Sequence, residues 1–470
     1  MTHNHTTPPD AHLWPLTTVI DENGRLIIGG CDAAALAHRY GTPLYLFDEA
    51  TIRNACRVWR TTLVACYQGE IAVHYASKAL LNIALAHLIA DEGLGLDVVS
   101  GGELYVALRA GFPPHRIHMH GNAKTRAELD QALAAGIGQI IIDNLDELEM
   151  LATLTAHRSP PQPVALRIAP DIAADTHTHI QTGHAASKFG LPLDALDVAA
   201  ERLHTASGLR LTGLHAHLGS QLFDLEPYAA EIDVLLDSAV RLRDRHGLLI
   251  QEINAGGGMG APYTADQRPL DMHACAARLG AALTEGCRRH RLPLLRLVIE
   301  PGRSIIARAG VALYTIVASK SLPHMRFLHI DGGMGDNIRP ALYDARYTAA
   351  LAERMNAPAE ETVEIAGRYC ESGDVLIHAA HLPRARVGES LAVPVAGAYT
   401  LSMASTYNLT PRPAVVMVNQ GEAILIQRRE TYEDLVTRDI GAKVTIIQGE
   451  NEPDEECHRK PGGFNALRAP

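Results

Sequence analysis

The chain has 470 residues, 47% apolar and 20% charged, enough for two or three domains at roughly 100–200 residues each. Its 53 acidic and 42 basic side chains leave a net charge of −11, which argues against a nucleic-acid backbone or an anionic membrane as the main partner. Only six of the cationic residues are lysines (Lys78, Lys124, Lys188, Lys320, Lys443 and Lys460), so a lysine at a chemically loaded position stands out.

The opening MTHNHTTPPDAHLWP lacks the apolar centre of a secretory signal, and no apolar run is long enough for a membrane span. The seven cysteines are odd in number and include no CxxC, so a reducing, cytoplasmic setting is expected rather than a disulfide framework or a zinc ribbon. Residues 1–46 contain the strand-like RLIIGG and TPLYLFDE and are expected to join a later β domain.

From residue 47 to 310 short apolar runs alternate with Ala/Leu/Glu-rich helical stretches. The expected strands are Ile71–Ala76, Leu94–Val99, Arg116–His120, Gln139–Asp143, Val164–Ala169, Arg210–Leu218, Leu249–Ala255 and Leu295–Glu300. Eight strand–helix units of this size suit a (β/α)8 barrel. An open doubly wound sheet shares the spacing, but polar or glycine-rich segments follow every strand, as expected where all eight ends converge on one face. Residues 311–450 read as a mainly antiparallel β domain (VALYTIVAS, RFLHIDG, TVEIAG, SLAVPVAG, PAVVMVNQG, EAILIQRR), and 451–470 as a loose tail.

Several strand ends carry chemistry. Lys78 follows the first strand; a desolvated, neutral amine can form a Schiff base, although a lone loop lysine is a weak signal. Glu300 and Arg303 in EPGRS end the eighth strand, and suit either a ring-nitrogen partner with a carboxylate fork or a structural ion pair. NAGGGMG (254–260) could turn backbone N–H groups toward a phosphate. His215 and His217 alternate on the sixth strand and should share a face; without a matching ligand set, ring stacking fits better than a metal. Cys370 and Glu371, in GRYCESGD, could give a proton and bind an ammonium, or simply close a strand. Arg339 and Tyr343, with Tyr399 and Tyr407, lie in DGGMGDNIRPALY and GAYTLSMASTYN.

Taken in order, YASKAL, DVVSGGEL, HGNAK, HLGSQ, GGGMG, EPGRS, DGGMGDNIRPALY, GRYCESGD and GAY…MASTYN…PRP resemble the diaminopimelate decarboxylases, fold-type III pyridoxal-phosphate enzymes. The resemblance runs from about Arg25 to Asp439 and includes DIAADTHTHIQTGHAASKFG (171–190); departures at Leu80, Ala123 and Ala169 touch no catalytic role. It implies pyridoxal 5′-phosphate bound to Lys78, with Glu300 at the ring nitrogen and His217 on the ring face. Asp97, Ser220, Gly256, Gly257, Gly258, Gly302, Arg303 and Tyr399 would surround the cofactor. Arg303, Arg339, Tyr343 and Tyr399 would hold the substrate, Cys370 would return the proton and Glu371 would bind the distal amine. Family members are homodimers in which the Cys370–Glu371 segment enters the partner's site.

The implied reaction is decarboxylation of meso-diaminopimelate to L-lysine and CO2, the last step of lysine biosynthesis. The alternative is the same chemistry on D-ornithine, arginine or carboxynorspermidine. A racemase is disfavoured by the CESGD segment, and a silent homologue by the presence of both Lys78 and Cys370.

Overall fold

The computed structural model describes residues 6–172 and 188–441. All eight expected strands form, and they close into a parallel barrel: Ile71–Ala76 pairs with both Gly95–Val98 and Arg296–Ile299, and Gln139–Ile142 with Gln162–Ala169. Closure removes sheet edges and brings the C-terminal strand ends to one rim.

Some of the polar residues at those ends start helices rather than line a site. Asn82, Ser100, Thr125 and Asn144 each accept a backbone N–H in the first turn of the helix that follows. A helix leaves its first N–H groups unbonded, and a short polar side chain at the cap satisfies one of them.

The barrel interior holds a polar layer below the rim. Gln139 donates from Nε2 to Thr212 Oγ1 at 2.9 Å and to Glu252 Oε1 at 2.6 Å. The His74 and His118 rings pack at 3.8 Å. Burial pushes the Glu252 carboxyl up and the His74 imidazole down to about 4.

The second domain is a mixed sheet. The expected run VALYTIVAS lies in the long strand Gly310–Leu322, which pairs antiparallel with Met325–Ile330, Ser390–Val393 and Leu44–Asp48. Leu44–Asp48, wholly buried, also runs parallel to Ala414–Asn419, so TPLYLFDE does enter this sheet, whereas RLIIGG forms a separate three-stranded sheet in which Leu26–Ile28 pairs with Val19–Ile20 and Cys31–Asp32. Met325–Ile330 and Glu361–Ala366 form a second parallel pair. Strand Val375–Leu382 was not expected: its VLIHAAHL alternates imperfectly, with adjacent exposed residues at His378 and Ala379. Asp48 ends the shared strand and caps helix Glu49–Cys66, which leads the chain into the barrel. The tail from 451 and most of the 171–190 segment lie outside the described residues.

Candidate active site

A cavity of about 950 Å³ opens at the rim, walled by seven of the eight strand ends and by Arg339, Tyr343 and Tyr399 of the second domain. At its base lies Glu300, just past the eighth strand and buried. Asn254 donates from Nδ2 to Glu300 Oε1 at 2.6 Å, His120 Nε2 lies 2.9 Å from the same oxygen, and His215 Nε2 lies 3.3 Å from Oε2. Burial alone would raise this carboxyl, but His120 and His215 hold it well below the usual carboxylate range. Burial lowers His215, while Glu300 pulls it up. His120, His215 and Glu300 also offer ligand atoms within 4.8 Å of one another. Asp97, at the second strand end, is pushed up to about 6 by burial and by Glu300, against the pull of His120 and Lys78.

Lys78 enters the cavity from a 3₁₀ turn, Ser77–Ala79, at the end of the first strand. Tyr399 N donates to Ala79 O at 2.9 Å, which holds Tyr399 beside the lysine turn with φ of 59°. That left-handed conformation is costly for an aromatic residue, roughly 1–3 kcal/mol, and such strain collects at functional sites.

His217 also faces the cavity, but the sixth strand ends at His215 rather than Leu218. Both histidines line the cavity, His217 from just past the strand end. His217 is set by a loop contact, its Nδ1 accepting from Gly257 N at 3.1 Å. Desolvation, with Lys78 and Arg167 nearby, holds its ring well below the ordinary imidazole value, so the ring is neutral.

The glycine run is corrected as well. Gly257 N–H goes to His217 and Gly256 N–H to Asn254 Oδ1, leaving only Gly258 on the cavity wall. A Cβ at Gly257 would meet Glu300 O at 2.2 Å, so that glycine serves the close packing of two strand ends. At Gly258, with φ of 97°, a Cβ would meet Gly219 O at 2.4 Å.

Arg303 donates from Nη2 to Ser220 Oγ at 2.9 Å and from Nη1 to Tyr263 Oη at 2.6 Å; its Cζ lies 4.6 Å over the Tyr399 ring. Arg339 donates from Nη1 to Tyr347 Oη at 2.6 Å. The side-chain partners of both arginines are hydroxyls, and the Nε of each is buried without a hydrogen-bond partner among the described residues. Gly302 and Tyr343 complete this side of the cavity.

Cys370 and Glu371 do not join the cavity of their own chain. Both are exposed, on the turn between Glu361–Ala366 and Val375–Leu382. The sequence reading also missed His120, Arg167, Tyr263 and Tyr347. Two signals were visible: the histidine of HGNAK, and a tyrosine just after GGGMG. Arg167, at the fifth strand end, lies 3.6 Å from Asp143 and over the Phe189 ring at 4.5 Å.

A barrel whose mouth joins a strand-end lysine to a buried, histidine-bound carboxylate defines a class, and a family model agrees with it. The model for the pyridoxal-binding domain of pyridoxal-dependent decarboxylases matches residues 49–307. The diaminopimelate decarboxylase of Bacillus subtilis is 43% identical over 432 residues, covering 91% of this chain and 98% of its own. That of Mycobacterium tuberculosis is 38% identical over 441 residues, with coverage of 91% and 98%. Among solved structures, diaminopimelate decarboxylase from M. jannaschii in complex with L-lysine superposes with a TM-score of 0.83 at 34% identity, over 91% of this chain and 98% of that one. The chain therefore belongs to the pyridoxal-dependent decarboxylases and, within them, to the diaminopimelate decarboxylase family.

Proposed function

We propose that this protein removes the carboxylate at the D-centre of meso-diaminopimelate, giving L-lysine and CO2, with pyridoxal 5′-phosphate as cofactor. The family and the relatives' shared activity support the reaction. The observation that carries the substrate is the pair of buried guanidiniums, Arg303 and Arg339, bonded to hydroxyls on the wall of a cavity that also holds Lys78 and Glu300.

The residues present fit the cofactor. Lys78 would carry it, anionic Glu300 would face the ring nitrogen and the neutral His217 ring would lie on its face. Asp97, Ser220, Gly258, Gly302, Arg303 and Tyr399 would surround the rest, the cavity wall at Gly258 leaving no room for a side chain. When bound, pyridoxal phosphate supplies an electron sink for the bonding pair left by the departing CO2.

The chain's own residues do the remaining work. Arg303, Arg339 and Tyr343 hold the carboxylate that stays, which selects the substrate and orients the one that leaves. Asn254, His120 and His215 keep Glu300 ionised in a buried setting. Cys370 returns a proton from Sγ to the carbon that lost its carboxylate, and Glu371 receives the distal ammonium. Both act in the cavity of a second copy, in a two-fold homodimer. The exposure of this turn, next to exposed Tyr407 and Leu409, supports that placement. The cytoplasmic setting rests on the six described cysteines, all free.

The test is L-lysine and CO2 formation by the pyridoxal-phosphate-loaded protein from meso-diaminopimelate, beside D-ornithine, arginine and carboxynorspermidine. Faster turnover of a substrate without the second carboxylate would overturn the assignment.

A further inference from the structure

Arg303 and Arg339 come from different parts of the molecule. Arg303 begins a short helix after the eighth barrel strand, and Arg339 begins helix Arg339–Tyr343 of the second domain. Two buried cations repel each other. One side chain touches both. Tyr263, on the loop after the seventh strand and itself buried, accepts from Arg303 Nη1 at 2.6 Å and lays its ring 4.3 Å from Arg339 Cζ.

A phenol offers two kinds of negative surface, the oxygen lone pairs and the ring face; here the oxygen accepts from Arg303 and the ring face lies nearer Arg339, at 4.3 Å against 5.8 Å for Arg303. Tyr347 supports the arrangement from behind: it packs edge-on to Tyr263 at 5.4 Å and accepts from Arg339 Nη1 at 2.6 Å. Arg346 ties the same two segments together at the rim, 2.8 Å from Asp266.

We propose that Tyr263 is the positioning residue that fixes the spacing of Arg303 and Arg339, and so makes the cavity select a ligand with a second carboxylate over a plain diamine. This rests on the reading of the two arginines as the receptor for the retained carboxylate. Burial alone would raise the Tyr263 phenol, but the two guanidiniums outweigh it and hold the group below its ordinary value, in keeping with a hydroxyl enclosed by cations.

Tyr263→Phe keeps the ring face and removes only the acceptor. The cofactor-loaded variant is compared with wild type by calorimetric titration with pimelate, a dicarboxylate without amines, and with cadaverine, a diamine without carboxylates. Pimelate should bind about tenfold more weakly or worse, and cadaverine within about twofold of wild type. The KM for meso-diaminopimelate should rise with the pimelate Kd while kcat stays within about threefold. Equal losses for the two probes, or unchanged pimelate binding, would overturn the proposal.

The cofactor absorbance band and the thermal midpoint report whether the variant is folded. Tyr263→His, which keeps a ring and a hydrogen-bonding atom, should recover part of the pimelate affinity; no recovery over Phe overturns the role of the hydroxyl. If wild-type protein fails to turn over meso-diaminopimelate, the reaction assignment fails, and the pimelate–cadaverine comparison still decides the role of Tyr263.

Discussion

The base of the cavity and the Cys370 turn are built in opposite ways. Glu300 is buried and held by Asn254, His120 and His215, which come from three other barrel strand ends. Cys370 and Glu371 are exposed and do not line this cavity in their own chain. Yet their turn is firmly made. Buried Asp374 accepts from Met334 N at 2.7 Å and from Tyr369 N at 2.8 Å, Cys370 N donates to Asn408 Oδ1 at 2.9 Å, and Tyr369 stacks on Tyr407 at 5.9 Å. An ordered turn that leaves a thiol and a carboxylate exposed is what the proposed two-fold dimer requires. On the proposed function, the barrel wall supplies the groups that must be desolvated, and the turn supplies the groups that enter from a second copy.

The largest effect should come from the wall. Lys78→Ala removes the only described lysine on the cavity wall besides Lys188, and the amine cannot be replaced by arginine. The visible band of the lysine-bound cofactor should vanish and turnover with it. A native-like band in the variant would show that another group holds the cofactor.

The turn should show a smaller but diagnostic effect. Cys370→Ala should keep the cofactor band and lose turnover by about 10²- to 10⁴-fold, the usual worth of a positioned proton donor. Mixing this variant with Lys78→Ala should restore activity that neither has alone, because one site of each mixed dimer would again have both residues. No recovery, with mixed dimers demonstrated by size and tag pull-down, would place Cys370's action within its own chain or remove it from the reaction.

The barrel was legible because each strand run and its following helix carry local signals, and the cavity because those signals fix which ends converge. Contacts between distant segments were less so. Lysine scarcity singled out Lys124 as much as Lys78, but Lys124 Nζ is buried and donates at 2.7 Å to Gly121 O, Ile141 O and Glu147 Oε1, a staple between two strand ends. Gly256 and Gly257 looked like phosphate ligands because a glycine run has the same appearance whether a ligand or a neighbouring backbone comes close; here it is the backbone. Tyr263 was overlooked because its significance depends on Arg339, which stands 76 positions away and reaches it only through the second domain.

The smallest effect tests whether the wall is as over-determined as its contacts imply. Thr125 accepts from Glu128 N, and Glu128 reaches back to Thr125 N at 2.9 Å, capping helix Arg126–Ala135 just after the His120–Asn122 loop. Glu128 also accepts from Gly101 N at 2.8 Å, so this cap touches the start of the preceding helix. Thr125→Ala should cost about 0.5–2 kcal/mol of stability, read by urea unfolding, the usual loss for a deleted cap. Turnover and the cofactor band should stay at wild-type level, because His120 and Glu300 are held by partners on other strands. A fall in turnover at temperatures where the variant is fully folded would show that the third-strand loop depends on its helix, and that the wall is less independent of its scaffold than the network around Glu300 implies.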